Sequence, residues 1–264
     1  MTDVFSFTTG SSPLLISIPH DGRELMPGQA ERMTDDGRAL PDTDWYVREL
    51  YAFVGELDAN VIAANYSRYV VDLNRPADDA SLYEGQVSTG LCPQRTFAGR
   101  PIYLDGETIS TTEQQDRVDR FWRPYHDRIA STLSALRDEY GFALLWDAHS
   151  IASEVPMLFP GVLTDLNIGT FGGVSCGASC ESSVMNVANT SDYTSVLNGR
   201  FKGGYTTRHY GAPKKNIHAI QLELSQRCYM DENNLSYDAK AAVNVGGTIE
   251  KMLTAYIQSA KGSG

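Results

Sequence analysis

Apolar and polar positions along this chain alternate between two periods, and the switches between them mark the elements. "PLLISIPHDG" is a continuous apolar run from Leu14 to Ile18, closed by Pro19 and a turn at Asp21 and Gly22, which predicts a short buried strand. In "DTDWYVRELYAFVGEL" the apolar residues Val47, Leu50, Tyr51 and Val54 recur at helical spacing. Asp42 or Thr43 is available there as N-cap, which puts Asp44 in the first turn. "NVIAA" and "RYVVDLN" read as the next strands, and residues 112–140 as mostly helical with a kink or break at Pro124. "FALLW" and "HAIQLELS" are further strands, the second ending near Glu223. The Gly- and Ser-rich "NIGTFGGVSCGASCESS" between them suits loops, and a last helix covers residues 236–259. Strands alternating with helices predict an α/β protein, a three-layer sandwich around a mixed, mostly parallel sheet.

Ligands of such sheets sit beyond the carboxyl ends of the strands. His20, Asn74 with Arg75, His149 and Glu223 each follow or end a predicted strand, so that edge is where partners are sought. A length of 264 residues without a clear linker gives one elaborate domain over residues 1–264. Composition is that of a globular protein, and the net charge of -11 disfavours binding to nucleic acid or an anionic membrane. It leaves room for a small anionic substrate held by a few arginines. The first twenty residues lack a basic region followed by a long apolar core, and no apolar run reaches membrane-spanning length. The expectation is a soluble, cytoplasmic protein, a monomer or small homo-oligomer. Cys92, Cys176, Cys180 and Cys228 form no CxxC pair and are read as free thiols before a structural metal or a disulfide.

His20 in "SIPHDG" and His149 in "WDAHS" stand in matching contexts just past apolar strands. Two imidazoles and one carboxylate suffice to hold Zn²⁺ or another divalent metal while leaving a position for water. Asp44, Asp42 and Glu24 are the carboxylate candidates; Asp44 is favoured because a helix N-terminus after the His20 loop turns its side chain back to the strand end. Helix capping is the bland alternative for both aspartates. Asp147 either orients His149 from behind or faces a neighbouring helix. Glu223 is a charge inside a predicted buried strand, an expense that a functional carboxylate or an ion pair would explain.

"LLISIPHDG", "PDTDWYVRELYAF", "SRYVVDLNRPADDASLYEGQ", "GLCPQRTFAG", "LLWDAHSIASEVP", "LNGRFKGGYTTRHYG" and "HAIQLELSQRCYMDE" together resemble the N-formylglutamate amidohydrolase family, from about residue 13 to 232. The resemblance implies a zinc-exopeptidase-like (phosphorylase/hydrolase-like) fold, akin to carboxypeptidases and aspartoacylases. It also implies zinc-dependent hydrolysis of N-formyl-L-glutamate to formate and L-glutamate, late in histidine degradation. The chain departs from the HxxE motif of the carboxypeptidase-like relatives, since "HDGRE" sets Glu24 one position later. "RYVVDLNR" is similar to an aspartoacylase segment, which implies that Arg68 polarises the scissile carbonyl while Asn74 and Arg75 hold a substrate carboxylate. Arg208, or more weakly Arg95, is the candidate for the second carboxylate.

On this reading Glu223 accepts a proton from a metal-activated water and passes it to the departing amine, and no acyl-enzyme forms. Three alternatives compete. A serine or cysteine hydrolase would use Ser150 or Cys92, although no GxSxG elbow is present. A metal-dependent deacylase would act on another N-acyl amino acid. A noncatalytic protein would bind dicarboxylates without turnover.

Overall fold

The computed structural model describes residues 2–81 and 89–261. Seven strands form one sheet: β1 (Phe5–Thr8), β2 (Leu14–Ile18), β3 (Asn60–Ala64), β4 (Ala143–Ile151), β5 (Leu166–Gly169), β6 (Ser195–Leu197) and β7 (Ile217–Ser225), in the order β1-β3-β2-β4-β7-β5-β6. The central strands β3, β2, β4 and β7 run parallel, while β1 pairs antiparallel with β3 and β5 antiparallel with β7. The sheet is therefore mixed and mostly parallel, and its core strands begin apolar on both faces, as burial between helices requires.

The helices are α1 (Asp35–Arg38), α2 (Val47–Leu50), α3 (Thr111–Arg117), α4 (Arg123–Tyr140), α5 (Ala178–Asn189), α6 (Tyr205–Tyr210) and α7 (Ala239–Lys261). On one face of the sheet, Ile16, Trp146 and Ile220 pack with residues of α2, α5 and α7. In α7 the buried stripe Ala242, Val245, Ile249, Met252, Leu253, Tyr256 and Ala260 supplies that contact at helical spacing. On the other face, Leu15, Leu145 and Ala219 pack with Tyr125, Ile129, Leu133 and Leu136 of α4. Helices thus cover the sheet on both sides.

Several local expectations are corrected. Asp44 is not in a first helical turn: α2 begins only at Val47, behind Tyr46 in a left-handed conformation with φ of 61°. Leu40 is also left-handed, with φ of 49°, so two bulky residues in a costly region bracket the loop that carries Asp44. "RYVVDLN" is a series of turns rather than a strand. The Gly- and Ser-rich region contributes the end of β5 and the start of α5, because Ile168 and Cys180 are fully buried and need a regular backbone partner. The helical stretch around Pro124 stays continuous through a π-helical segment, Val118–Trp122, which absorbs the hydrogen bond that proline cannot donate. The last helix starts at Ala239, since Ser236 and Tyr237 pair with Met230 and Asp231 in a small ribbon.

What holds the irregular segment 68–75 in place is the neighbouring helical stretch. Arg117, fully buried, donates to the carbonyls of Tyr69 (3.2 Å) and Val70 (2.9 Å). His126 Nε2 lies 2.8 Å from the carbonyl oxygen of Leu73, and Trp122 Nε1 donates to that of Arg75 at 2.8 Å. Side chains therefore satisfy carbonyls that a strand would have paired. The Arg117→Met substitution takes the guanidinium from both carbonyls and from Glu113, leaving Tyr69 O with Gln29 and Glu113 with Arg32, and should lower unfolding free energy by about 2–4 kcal/mol in urea titration. A loss under about 1 kcal/mol would mean that the segment is anchored by other contacts.

Candidate active site

The face of the sheet that carries α4 changes character along the strands. Its first layer is Leu15, Leu145 and Ala219; the next, in register, is Ser17, Asp147 and Gln221; beyond it His149 pairs with Glu223. Residues two apart on a strand point the same way, so Asp147 and His149 of β4 and Gln221 and Glu223 of β7 share this face. Both histidine-bearing positions were expected just past strands; His20 is, but Asp147 and His149 lie within β4, which extends to Ile151. Apolar residues thus build the floor, and the polar layers build the site at the carboxyl end.

His20, Asp44 and His149 converge, each offering one ligand atom within 4.8 Å of the others. Asp44 Oδ2 lies 3.1 Å from His149 Nδ1 and 3.7 Å from His20 Nδ1. The same oxygen accepts from the backbone N–H of Ser150 at 3.0 Å, and the N–H of Asp44 donates to the His20 carbonyl at 3.1 Å. These contacts fix the loop whose strained ends were noted above.

Behind each imidazole stands a second carboxylate. His20 Nε2 lies 2.8 Å from Asp72 Oδ1. His149 Nε2 lies 3.0 Å from Asp147 Oδ2, off the line of a well-formed hydrogen bond, and 2.9 Å from Asn74 Nδ2. Asp72 also accepts from Arg68 Nη2 at 2.7 Å and from the Asn74 N–H at 2.9 Å. All of these side chains except Arg68 and Asn74 are at most 4 % exposed, so the charges balance one another rather than being solvated.

That balance sets the protonation states. Burial alone would raise Asp44, but the imidazoles of His20 and His149 outweigh it and hold its carboxyl well below the usual range. Burial would likewise strip the proton from His149, yet Asp147, Asp44 and Glu223 hold it and move the imidazole well above its ordinary value. Glu223 is pushed up to about 8, first by burial and then by the negative charge of Asp44 and Asp147, against the opposing pull of His149 and Arg68. Gln221 Nε2 donates to Glu223 Oε2 at 3.2 Å.

The donor set fits a divalent cation of the zinc type. His20 Nδ1 is buried, faces Asp44 and has no hydrogen-bond partner. Carboxylates on the far ring nitrogens are the usual supports of metal-ligating histidines. The field that draws a proton onto His149 is also one that favours a positive ion.

A cleft opens over this cluster, lined among others by His20, Asp44, Arg68, Arg75, His149, Arg200 and Glu223. Arg68 is nearly buried, with its guanidinium 4.8 Å from the ring centre of Phe97. Arg75 lines the cleft wall. Asn74 Oδ1 accepts from the Thr206 N–H at 2.9 Å, which fixes the amide with Nδ2 beside His149 Nε2. Arg208 is not among the lining residues; it donates from Nε to the Gly203 carbonyl and lies over Phe171. Arg95 is exposed and donates to the Gly99 carbonyl, while Glu24 is exposed and outside the cluster. Asp42 is buried but accepts from Tyr69 and from the Phe97 N–H.

Ser150 follows His149 on a strand and so points away from it; its Oγ bonds Tyr229 Oη at 2.7 Å. The Cys92 thiol is pushed up to about 11 by burial, which leaves little thiolate. Neither forms a nucleophile and base pair with a histidine of the cluster. Asp72, Gln221 and Arg200 enter the site without a distinctive sequence signal. Asp72 and Gln221 are polar interruptions of apolar runs, a weak clue, and Arg200 is a loop arginine like several others.

Residues 12–230 match the family model described as N-formylglutamate amidohydrolase. The chain is 49% identical over 233 residues to the N-formylglutamate deformylase of Pseudomonas putida, covering 88% of this chain and 87% of the relative. It is 48% identical over 255 residues to the N-formylglutamate deformylase of Pseudomonas aeruginosa, with 96% of each covered. The fold is similar to the crystal structure of N-formylglutamate amidohydrolase from Ralstonia eutropha JMP134, with a TM-score of 0.83 at 21% identity over 97% of this chain and 99% of that one. With its matched segment spanning six of the seven strands and every residue of the cluster, this chain belongs to the N-formylglutamate amidohydrolase family.

Proposed function

We propose that this protein is a metal-dependent amidohydrolase that cleaves N-formyl-L-glutamate to formate and L-glutamate. The observation that carries the reading is the convergence of His20, Asp44 and His149 beside Glu223, the strand partner of His149. The activity named for relatives at nearly half identity supplies the substrate. The full reading has one catalytic domain of zinc-exopeptidase-like architecture, zinc as the ion, and a cytoplasmic role late in histidine breakdown. Among the described residues no helix is long and apolar enough to cross a membrane.

His20, Asp44 and His149 would hold the ion, with Asp72 and Asp147 fixing the two rings. A zinc ion bound there supplies Lewis-acid stabilisation of negative charge and a lowered pKa for water. Glu223, buried and next to this cluster, takes the proton of the attacking water and returns it to the departing amine. Arg68, tethered by Asp72, brings fixed positive charge to the oxyanion that develops at the formyl carbon. Arg75 and Arg200, both lining the cleft, hold the two carboxylates of glutamate, since a planar guanidinium matches a carboxylate with two hydrogen bonds. Asn74, with its amide committed to His149 and Thr206, acts as a positioning residue.

Glu223→Gln keeps the shape of the side chain and removes its basicity. Formate release should fall by at least about 100-fold while metal content is unchanged, and turnover within tenfold of wild type would remove Glu223 from the proton-transfer role. Because the base works when ionised and burial raises it, activity should rise with pH on an acid limb whose midpoint lies above 4.5 and no higher than about 8. The residual activity of Glu223→Gln should lack that limb; an identical limb in the variant would assign it to another group. Arg200→Ala should raise KM for N-formylglutamate by about 10- to 100-fold, and Arg208→Ala by much less. The opposite ranking would return the second carboxylate to Arg208.

A further inference from the structure

The first half of β7 has no strand beside it on the β5 side, because β5 pairs only with Gln221 to Leu224. Residues 175–177 cover that edge instead. The carbonyl of Ser175 accepts from the Ala219 N–H at 2.8 Å, Ser175 Oγ donates to the Ala219 carbonyl at 2.9 Å, and the Gly177 N–H donates to His218 Nδ1 at 3.0 Å. A backbone N–H is always a donor, so Nδ1 of His218 is unprotonated here and its lone pair accepts from Gly177; an ion bound through Nδ1 would take that lone pair over from the N–H. A Cβ on residue 177 would sit 3.0 Å from His218 Cε1, so glycine lets the backbone lie against the imidazole.

This packing brings Cys176, Cys180 and His218 together, with one ligand atom from each within 4.8 Å of the others. Cys176 and Cys180 are at most 1 % exposed and belong to the core under α7. Cys180 sits in the first turn of α5, where the helix N-terminus favours a thiolate. The fully buried phenol of Tyr256 adjoins Cys176 and has no well-formed hydrogen bond. A cluster of two sulfurs and an unprotonated imidazole nitrogen, with a buried phenol beside them, is richer in ligand atoms than apolar packing needs.

We propose that Cys176, Cys180 and His218 form a second metal site, for a borderline-soft divalent ion of the Zn²⁺ class. His218 shares its strand face with Ile220 and Leu222, opposite to Gln221 and Glu223. It lies five residues before Glu223 on β7, about 16 Å along an extended strand. The site is therefore separate from the His20 cluster in space as well as in ligands, which here include sulfur where the other has only nitrogen and oxygen. Its role is structural: it clasps the start of α5 to the uncovered edge of β7 beneath α7. The proposal does not depend on the catalytic reading.

Sulfur ligation gives a readout that the His20 cluster cannot produce. The full chain, reduced and freed of metal, is titrated with Co²⁺ and followed in the near ultraviolet for thiolate-to-cobalt charge transfer. The band is expected in wild type, retained in His149→Ala, and absent from the Cys176→Ser/Cys180→Ser double variant, which also loses one equivalent of bound metal. A wild-type protein without the band, or a double variant that keeps it, overturns the site. Should the double variant not fold, alkylation of wild type is mapped peptide by peptide with and without Zn²⁺. Selective protection of Cys176 and Cys180 relative to Cys92 upholds the site, and equal rates refute it.

Discussion

Burial of opposite charges against one another is the constraint around which this protein is organised. Two imidazoles and the carboxyl groups of Asp44, Asp72, Asp147 and Glu223 share the end of one sheet face, each with little contact with water. None of these charges would be tolerable there alone. Each imidazole stands between carboxylates, and Arg68 reaches both Asp72 and Asp44. Removing any one member leaves its neighbours uncompensated in a low-dielectric setting, so the cluster is rigid for electrostatic reasons. Rigidity of that origin suits catalysis, because charge already in place needs no reorganisation when a transition state forms.

The sheet register decides which charges meet. Parallel pairing of β2, β4 and β7 stacks an apolar layer, a polar layer and then the pair His149 and Glu223. A slip of one residue would turn the polar set into the opposite core, where Trp146, Ile220 and Leu222 now pack with α5 and α7. The hydrophobic pattern on both faces thus selects the one register that also assembles the site. Stability and site geometry rest here on the same pairing.

Loops complete what the strands begin. The segment 68–75 brings Arg68, Asp72, Asn74 and Arg75 to the site without being a strand, held by Arg117, Trp122 and His126. Irregular backbone lets neighbouring residues serve different purposes: Asp72 braces His20, Asn74 meets His149, and Arg75 faces the cleft. On the other side of the sheet a similar economy operates at residues 175–177, which cover a bare strand edge and in doing so bring two thiols to His218.

The amino-acid sequence by itself determined many, though not all, of the regular parts of this protein. Leu14 to Ile18 is a strand as read, α4 and α7 follow their apolar stripes, and His20, His149 and Glu223 stand out because they follow or interrupt apolar runs. Those signals are local: burying a face imposes a period on neighbouring residues. The tertiary structure alone decided the rest. "RYVVDLN" has the composition of a strand, but its carbonyls find partners more than forty residues away, which no local period encodes. Asp44 owes its place to a loop between two left-handed residues rather than to a helix turn. Arg200 lines the cleft and Arg208 does not, because α6 carries the second toward Phe171; the two arginines look the same in sequence. Cys176, Cys180 and His218 meet only because β5 is too short to cover β7, a property of the assembled sheet.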